Sequence, residues 1–113
     1  MTNCVFCKIA AGEMPATIVQ RTADLVAFRD IHPQAPTHIL VIPTRHILSV
    51  AEMQDADVDL VGRMIAFARD VAQNEKLGNG FRLVINSGPQ AGQTVYHLHV
   101  HVLGGRAMHW PPG

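Results

Sequence analysis

The chain has 113 residues, 48% hydrophobic and 16% charged, which is the composition of a folded globular protein and reads as one domain over 1–113. Nine Lys and Arg balance nine Asp and Glu without a long basic run, so nucleic acid is not expected as a partner. No apolar stretch approaches a membrane span and the first residues lack a signal peptide's pattern, so no membrane partner is expected, the location is read as cytoplasmic, and the two cysteines as reduced or metal-bound.

In chain order, "VFCKIAAGE" fits a short helix ended by Gly12, with Pro15 following as a stop. "TIVQR" and "LVAFRD" read as strands around the polar "TAD", a hairpin. "IHPQAPTH" carries two prolines and is loop; "HILVIP" is a strand stopped by Pro43. "SVAE", Ser49 to Glu52, has the Ser-x-x-Glu form of a capping box over at most a short turn. From about Asp55 to Leu77 the apolar residues follow a helical period, ended by "LGNG". Val58, Val61, Ile65, Ala68 and Ala72 make one stripe, and Leu60, Met64, Phe67 and Val71 an adjacent one. The sector is wider than one sheet face needs, which fits either a fully buried helix or one shared with a second subunit. "FRLVINS" and "YHLHVHVL" are two more strands around "GPQAGQT". Five strands and two helices with short connections give an α+β fold with an antiparallel sheet.

"YHLHVHVLGG" sets His97, His99 and His101 at alternate positions. That is the strand period, so the three rings should leave one sheet face, roughly 6.5–7 Å apart. A solvated polar face would be served as well by Ser, Thr or Lys. A catalytic metal site would usually add a carboxylate, yet from Phe81 onward the chain has no Asp or Glu. That exclusion suits an anionic substrate. Neutral imidazole attacks phosphorus well near pH 7 and leaves readily, provided its other nitrogen is an N–H held by an acceptor, here expected to be the His97 carbonyl. The preceding loop can offer phosphate oxygens the backbone amides around Gly88 and Gly92 and the Thr94 hydroxyl.

The run "HLHVHVL" resembles the signature of the histidine triad (HIT) superfamily, and "GGRAMHWPPG" with "FRDIHPQAPTHILVIP" is similar to its Hint branch of nucleotide-binding phosphoramidases. The similarity runs from about Cys4 to Gly113. The resemblance implies a five-stranded antiparallel sheet with two helices, continued across a homodimer. It also implies hydrolysis of nucleoside 5′-phosphoramidates, typically purine, through a nucleotidyl-histidine, with no catalytic cofactor. His99 matches the nucleophile, His97 and His101 its flanking partners, with His101 toward the phosphate, and His38 a neighbouring histidine. Asn86, Gly92, Gln93, Thr94 and Val95 match the phosphate loop, and Asp30 the residue on the ribose hydroxyls. Val5, Phe6, Ile9, Phe28 and Ile31 match the apolar slot for the base; His32 is given no role.

Cys4 and Cys7 have metal-ligand spacing, and a tetrahedral site needs two further ligands, for which His46 and His97 are the candidates. Two unconnected buried thiols are the plain alternative. The resemblance implies that such a set binds structural zinc, set apart from the chemistry. Two functional rivals remain: a nucleotide-binding scaffold with vestigial turnover, and a dinucleotide or nucleotidyl-ester hydrolase of a sister branch. The tail around Trp110 is expected to dock across the dimer rather than on its own subunit.

Overall fold

The computed structural model describes residues 3–113. Its elements are α1 (Val5–Ala10), β1 (Ile18–Arg21), β2 (Leu25–Arg29), β3 (Thr37–Pro43), α2 (Val58–Asn74), β4 (Phe81–Val84) and β5 (Val100–Gly104). Single 3₁₀ turns precede α2 and β5, at Asp55–Asp57 and Pro89–Ala91. The strands form one antiparallel sheet in the order β1-β2-β3-β5-β4.

β3 lies at the centre and is buried on both faces, which is why it reads as an unbroken apolar run. Alternation divides its residues between two cores. Ile39 and Val41, with Leu25, Ala27, Val100 and Val102, face Leu60, Met64, Phe67 and Val71 of α2. Leu40 and Ile42, with Val26 and Phe28, face Phe6 and Ile9 of α1. Burying each such side chain contributes about 1.5–3 kcal/mol.

Only part of the wide α2 sector is used within the chain. Leu60, Met64, Phe67, Ala68, Val71 and Ala72 are buried, whereas Val58 and Ile65 are exposed. The helix ends earlier than "LGNG" suggests. It stops at Asn74, and the left-handed residue after it is Lys76, with φ +62°. The Leu77 N–H then bonds the Ala72 carbonyl at 3.0 Å, folding the buried Leu77 back over the sheet. Gly104 receives it: a Cβ there would lie 2.6 Å from a Leu77 methyl.

As expected, Ser49 to Glu52 forms only a short turn, closed by the Glu52 N–H on the Ser49 carbonyl at 3.2 Å. One other difference matters. The last strand begins at Val100, so His97 and His99 precede the ladder and are held by other contacts.

Candidate functional site

The alternation does place the three imidazoles together, opposite Leu98, Val100 and Val102, on the side of the sheet where α1 packs. His97 and His99 are buried and His101 half-buried. Phe6 of α1 meets both His97 and His99 edge-on, at centroid distances of 6.0 and 5.1 Å, and His99 meets His101 at 4.9 Å.

Each ring's hydrogen bonds fix where its proton sits. His99 donates Nδ1–H to the His97 carbonyl at 2.7 Å, which leaves Nε2 as a free lone pair. His38 on β3 accepts the Gln34 N–H at Nδ1, 3.0 Å away, so its own proton is on Nε2. That N–H donates to His101 Nδ1 at 2.9 Å, with an Asp30 carboxylate oxygen 3.4 Å away. His101 therefore carries its proton on Nε2. The chain Asp30–His38–His101 thus runs from a loop carboxylate to the neighbour of His99. Burial pushes His38 and His99 below the usual histidine range and His101 down to about 4. All three are neutral at pH 7. A neutral ring with one nitrogen anchored and the other free is the form a nucleophile requires.

The preceding loop is braced from inside. Gly88 and Gly92 adopt φ +94° and +88°, which a side chain would resist. The buried Gln93 amide accepts the Gly88 N–H at 2.9 Å and donates to the Leu48 and Val95 carbonyls at 2.8 and 3.1 Å. Its side chain therefore braces the loop. Thr94 is exposed, and Asn86 and Val95 are half-buried. Of the apolar slot, Phe6, Ile9 and Phe28 are core residues and form a floor, with Phe6 and Phe28 at 5.4 Å. Val5 and Ile31 are open to solvent, Ile31 at 86%. Asp30 also accepts the His32 N–H at 2.8 Å, which makes the turn leading out of β2.

Beside the triad stands a second cluster. Cys4 Sγ, Cys7 Sγ, His46 Nδ1 and His97 Nδ1 all lie within 4.8 Å of one another. His97 Nδ1 is 3.3 Å from Cys4 Sγ, 3.4 Å from Cys7 Sγ and 3.2 Å from His46 Nδ1, and Cys7 Sγ is 3.3 Å from His46 Nδ1. The edges of a zinc tetrahedron with two nitrogens and two sulfurs are about 3.3–3.8 Å, so the donor set fits such an ion. Cys4 also caps α1, receiving the Cys7 N–H at 3.3 Å, so the helix start itself brings the two sulfurs together. The His97 Nε2–H is given to the Pro43 carbonyl at 2.8 Å, which turns the Nδ1 lone pair toward the cluster. Burial keeps His97 at about 4 and His46 below its ordinary value, both in the neutral form a metal needs. Burial and then the Cys4 sulfur push the Cys7 thiol up to about 11, a proton that coordination would displace. The cluster and the triad share His97, which the sequence already placed in both sets.

Sequence reasoning missed the backbone groups: the Gln34 N–H and the Pro43 carbonyl each fix a histidine tautomer, and no residue-type pattern marks them. It also missed Arg106, whose guanidinium holds the Gln34 carbonyl at 3.1 Å and ties the tail to that same loop. Farther along, Arg82 on β4 donates to the His109 carbonyl at 2.8 Å, while Trp110 stays 84% exposed.

Comparison with known proteins adds the following. The HIT domain matches residues 11–108. A solved structure of a HIT family hydrolase from Legionella pneumophila is 52% identical, covers 98% of this chain and 100% of its own, and superposes with a TM-score of 0.96. A 14 kDa zinc-binding protein of Zea mays is 47% identical over 111 residues, 96% of this chain and 87% of the relative. The adenylylsulfatase HINT1 of Arabidopsis thaliana is also 47% identical, over 96% of this chain and 76% of its own length.

Proposed function

Because this chain belongs to the HIT domain family, we propose that it hydrolyses purine nucleoside 5′-phosphoramidates to the nucleoside monophosphate and an amine. His99 Nε2 attacks the α-phosphorus, forming a phosphorus–nitrogen bond as the bond to the amine breaks. The amine leaves with one added proton. Water then attacks the nucleotidyl-histidine, loses a proton to the network, and releases the monophosphate with His99 restored. His101 offers its Nε2–H to a phosphate oxygen, and the braced loop supplies amides and the Thr94 hydroxyl. Phe6, Ile9 and Phe28 underlie the base, with Val5 and Ile31 at its rim, and Asp30 accepts from the ribose hydroxyls.

The observation that carries this reading is the 2.7 Å bond from His99 Nδ1–H to the His97 carbonyl, which leaves Nε2 free in a segment without carboxylates. The test is single-turnover hydrolysis of an adenosine phosphoramidate, with the adduct trapped under alkaline conditions. His99→Ala should lose about three or more orders of magnitude in rate and keep its AMP affinity. Near-normal turnover in that variant would sink the covalent mechanism.

A second substrate class is favoured by the adenylylsulfatase relative. Attack at the same phosphorus of an adenylyl sulfate would expel sulfate, which needs no proton on departure. Comparing the two leaving groups on one preparation distinguishes the activities, and an absence of adduct with either supports a nucleotide-binding scaffold instead.

The reading includes one structural zinc per chain on Cys4, Cys7, His46 and His97, supported by the donor geometry and by the zinc-binding relative. It also includes a homodimer joined at β4. That strand is a sheet edge, its Phe81 is 39% exposed, and its Arg82 brings the tail alongside. Sedimentation of untagged protein, with metal analysis of the same sample, checks both.

A further inference from the structure

We propose that His97 is a positioning residue that carries the state of the Cys4–Cys7–His46 cluster to His99, so that a cation in the cluster holds the attacking imidazole in register. The inference rests on the readings of His99 as nucleophile and of the cluster as a metal site. It makes the metal part of the alignment of the reacting ring as well as part of the fold.

Three contacts converge on this one residue. Its Nδ1 faces both sulfurs and His46 at 3.2–3.4 Å, its Nε2–H is held by the Pro43 carbonyl, and its own carbonyl receives the His99 Nδ1–H. The ring is 0% exposed, and Phe6 packs edge-on against it and against His99 together. Ring and carbonyl therefore cannot shift independently. The ladder gives no help here, because β5 begins only at Val100. What anchors this stretch instead is the Leu98 N–H on the Ile47 carbonyl at 2.6 Å, and Ile47 directly follows His46. The segment that carries one ligand thus grips the backbone beside the other.

A cation turns four crowded donor atoms into four ligands. Without it, the four donor atoms within 4.8 Å of one another have no common centre, and the His97 ring is held at its Nε2–H by the Pro43 carbonyl alone. A small rotation of that residue moves the carbonyl that selects the His99 tautomer, and a ring with its proton on Nε2 has no lone pair there to attack with.

The test changes His46, which touches neither His99 nor the nucleotide site. His46→Ala removes a ligand, and His46→Cys keeps four donors. Three quantities are measured beside metal content: the His99 ring-proton pattern by long-range ¹H–¹⁵N correlation, the rate of adduct formation in a single turnover, and AMP affinity. In His46→Ala the His99 signal should lose its pure Nδ1–H pattern and adduct formation should slow by about ten- to hundredfold, with AMP affinity within about twofold. His46→Cys should recover metal, proton pattern and rate together. A folded, metal-free His46→Ala protein with the Nδ1–H pattern and the wild-type rate would overturn the proposal. Should that variant fail to fold, wild-type protein is treated with a chelator and followed in time. Loss of adduct formation ahead of the far-UV dichroism supports the coupling; simultaneous loss overturns it. If metal-loaded wild-type protein forms no adduct at all, the nucleophile reading fails separately, and the His99 proton pattern before and after metal removal still decides the coupling.

Discussion

The two faces of the segment from His97 to Val102 are buried to a similar depth by opposite means. Leu98, Val100 and Val102 lie against α2 at 0–1% exposure and need no partners beyond shape. His97 and His99, at 0 and 6%, lie on the other side and need a partner for every nitrogen that burial strips of water. Three of their four nitrogens have one, in the cluster atoms, the Pro43 carbonyl and the His97 carbonyl, and only His99 Nε2 is left free; Gln34 and His38 serve the same purpose one strand away. Among the described residues no buried side-chain nitrogen or oxygen lacks a partner. One face stabilises the fold; the other spends folding energy to hold neutral imidazoles in fixed tautomers. Changes on the two faces should therefore separate stability from chemistry.

The largest expected effect on stability comes from the apolar side. Met64 is fully buried between α2 and the sheet, and Met64→Ala should cost about 2–5 kcal/mol in urea unfolding. The rate per folded molecule should stay near wild type. A variant that keeps its stability but loses rate would show that the two faces are not separable.

Acidification should act on the other face. His101 and His38 have folded values below 6.5, His101 at about 4, because burial disfavours the charged ring. Between pH 6.5 and 4 the unfolded chain takes up protons that these folded rings refuse. Stability is therefore complete above about pH 7 and falls as the pH drops through that window. Urea midpoints measured from pH 8 to 5 should be flat and then decline, and His101→Gln should shallow the decline. A midpoint that rises on acidification would mean that the rings are charged in the native state.

How much of this was legible in the sequence follows the same division. The apolar side was readable nearly residue by residue, because period and burial depend on side-chain type alone: Leu60, Met64, Phe67 and Val71 are where the pattern puts them. The triad's common face and the convergence of Cys4, Cys7, His46 and His97 were readable from spacing and resemblance. What spacing could not convey was which atoms the histidines face, since the Gln34 N–H and the Pro43 carbonyl are present at any residue and are recruited only by the fold. The turn at Lys76 was hidden for a related reason. Glycines stand two and four residues later, and the packing of Leu77 against Gly104 sets where the helix stops.

The smallest effect, and the sharpest test of the polar face, is at Asp30. Its carboxylate accepts the His32 N–H at 2.8 Å, and its other oxygen lies 3.4 Å from His38 Nε2, whose N–H is given to His101, so two N–H donors face one group. Asn has only one acceptor oxygen. In either amide orientation an NH₂ would be turned toward one of those donors, and His38 cannot switch tautomer to help because its Nδ1 is occupied by the Gln34 N–H. Asp30→Asn should thus loosen the turn for every ligand to the same degree. On top of that shared loss, a nucleotide whose ribose hydroxyls donate to Asp30 gives up a charge-assisted bond, a further difference of roughly 1 kcal/mol or about fivefold in affinity. Binding of AMP and of its 2′,3′-dideoxy analogue, measured by calorimetry on wild type and Asp30→Asn, isolates that difference from the shared loss. A larger drop for AMP assigns the ribose to Asp30. Equal drops would mean that the carboxylate serves only the turn and the His38–His101 chain, and the polar face would then read the phosphate and base without reading the sugar.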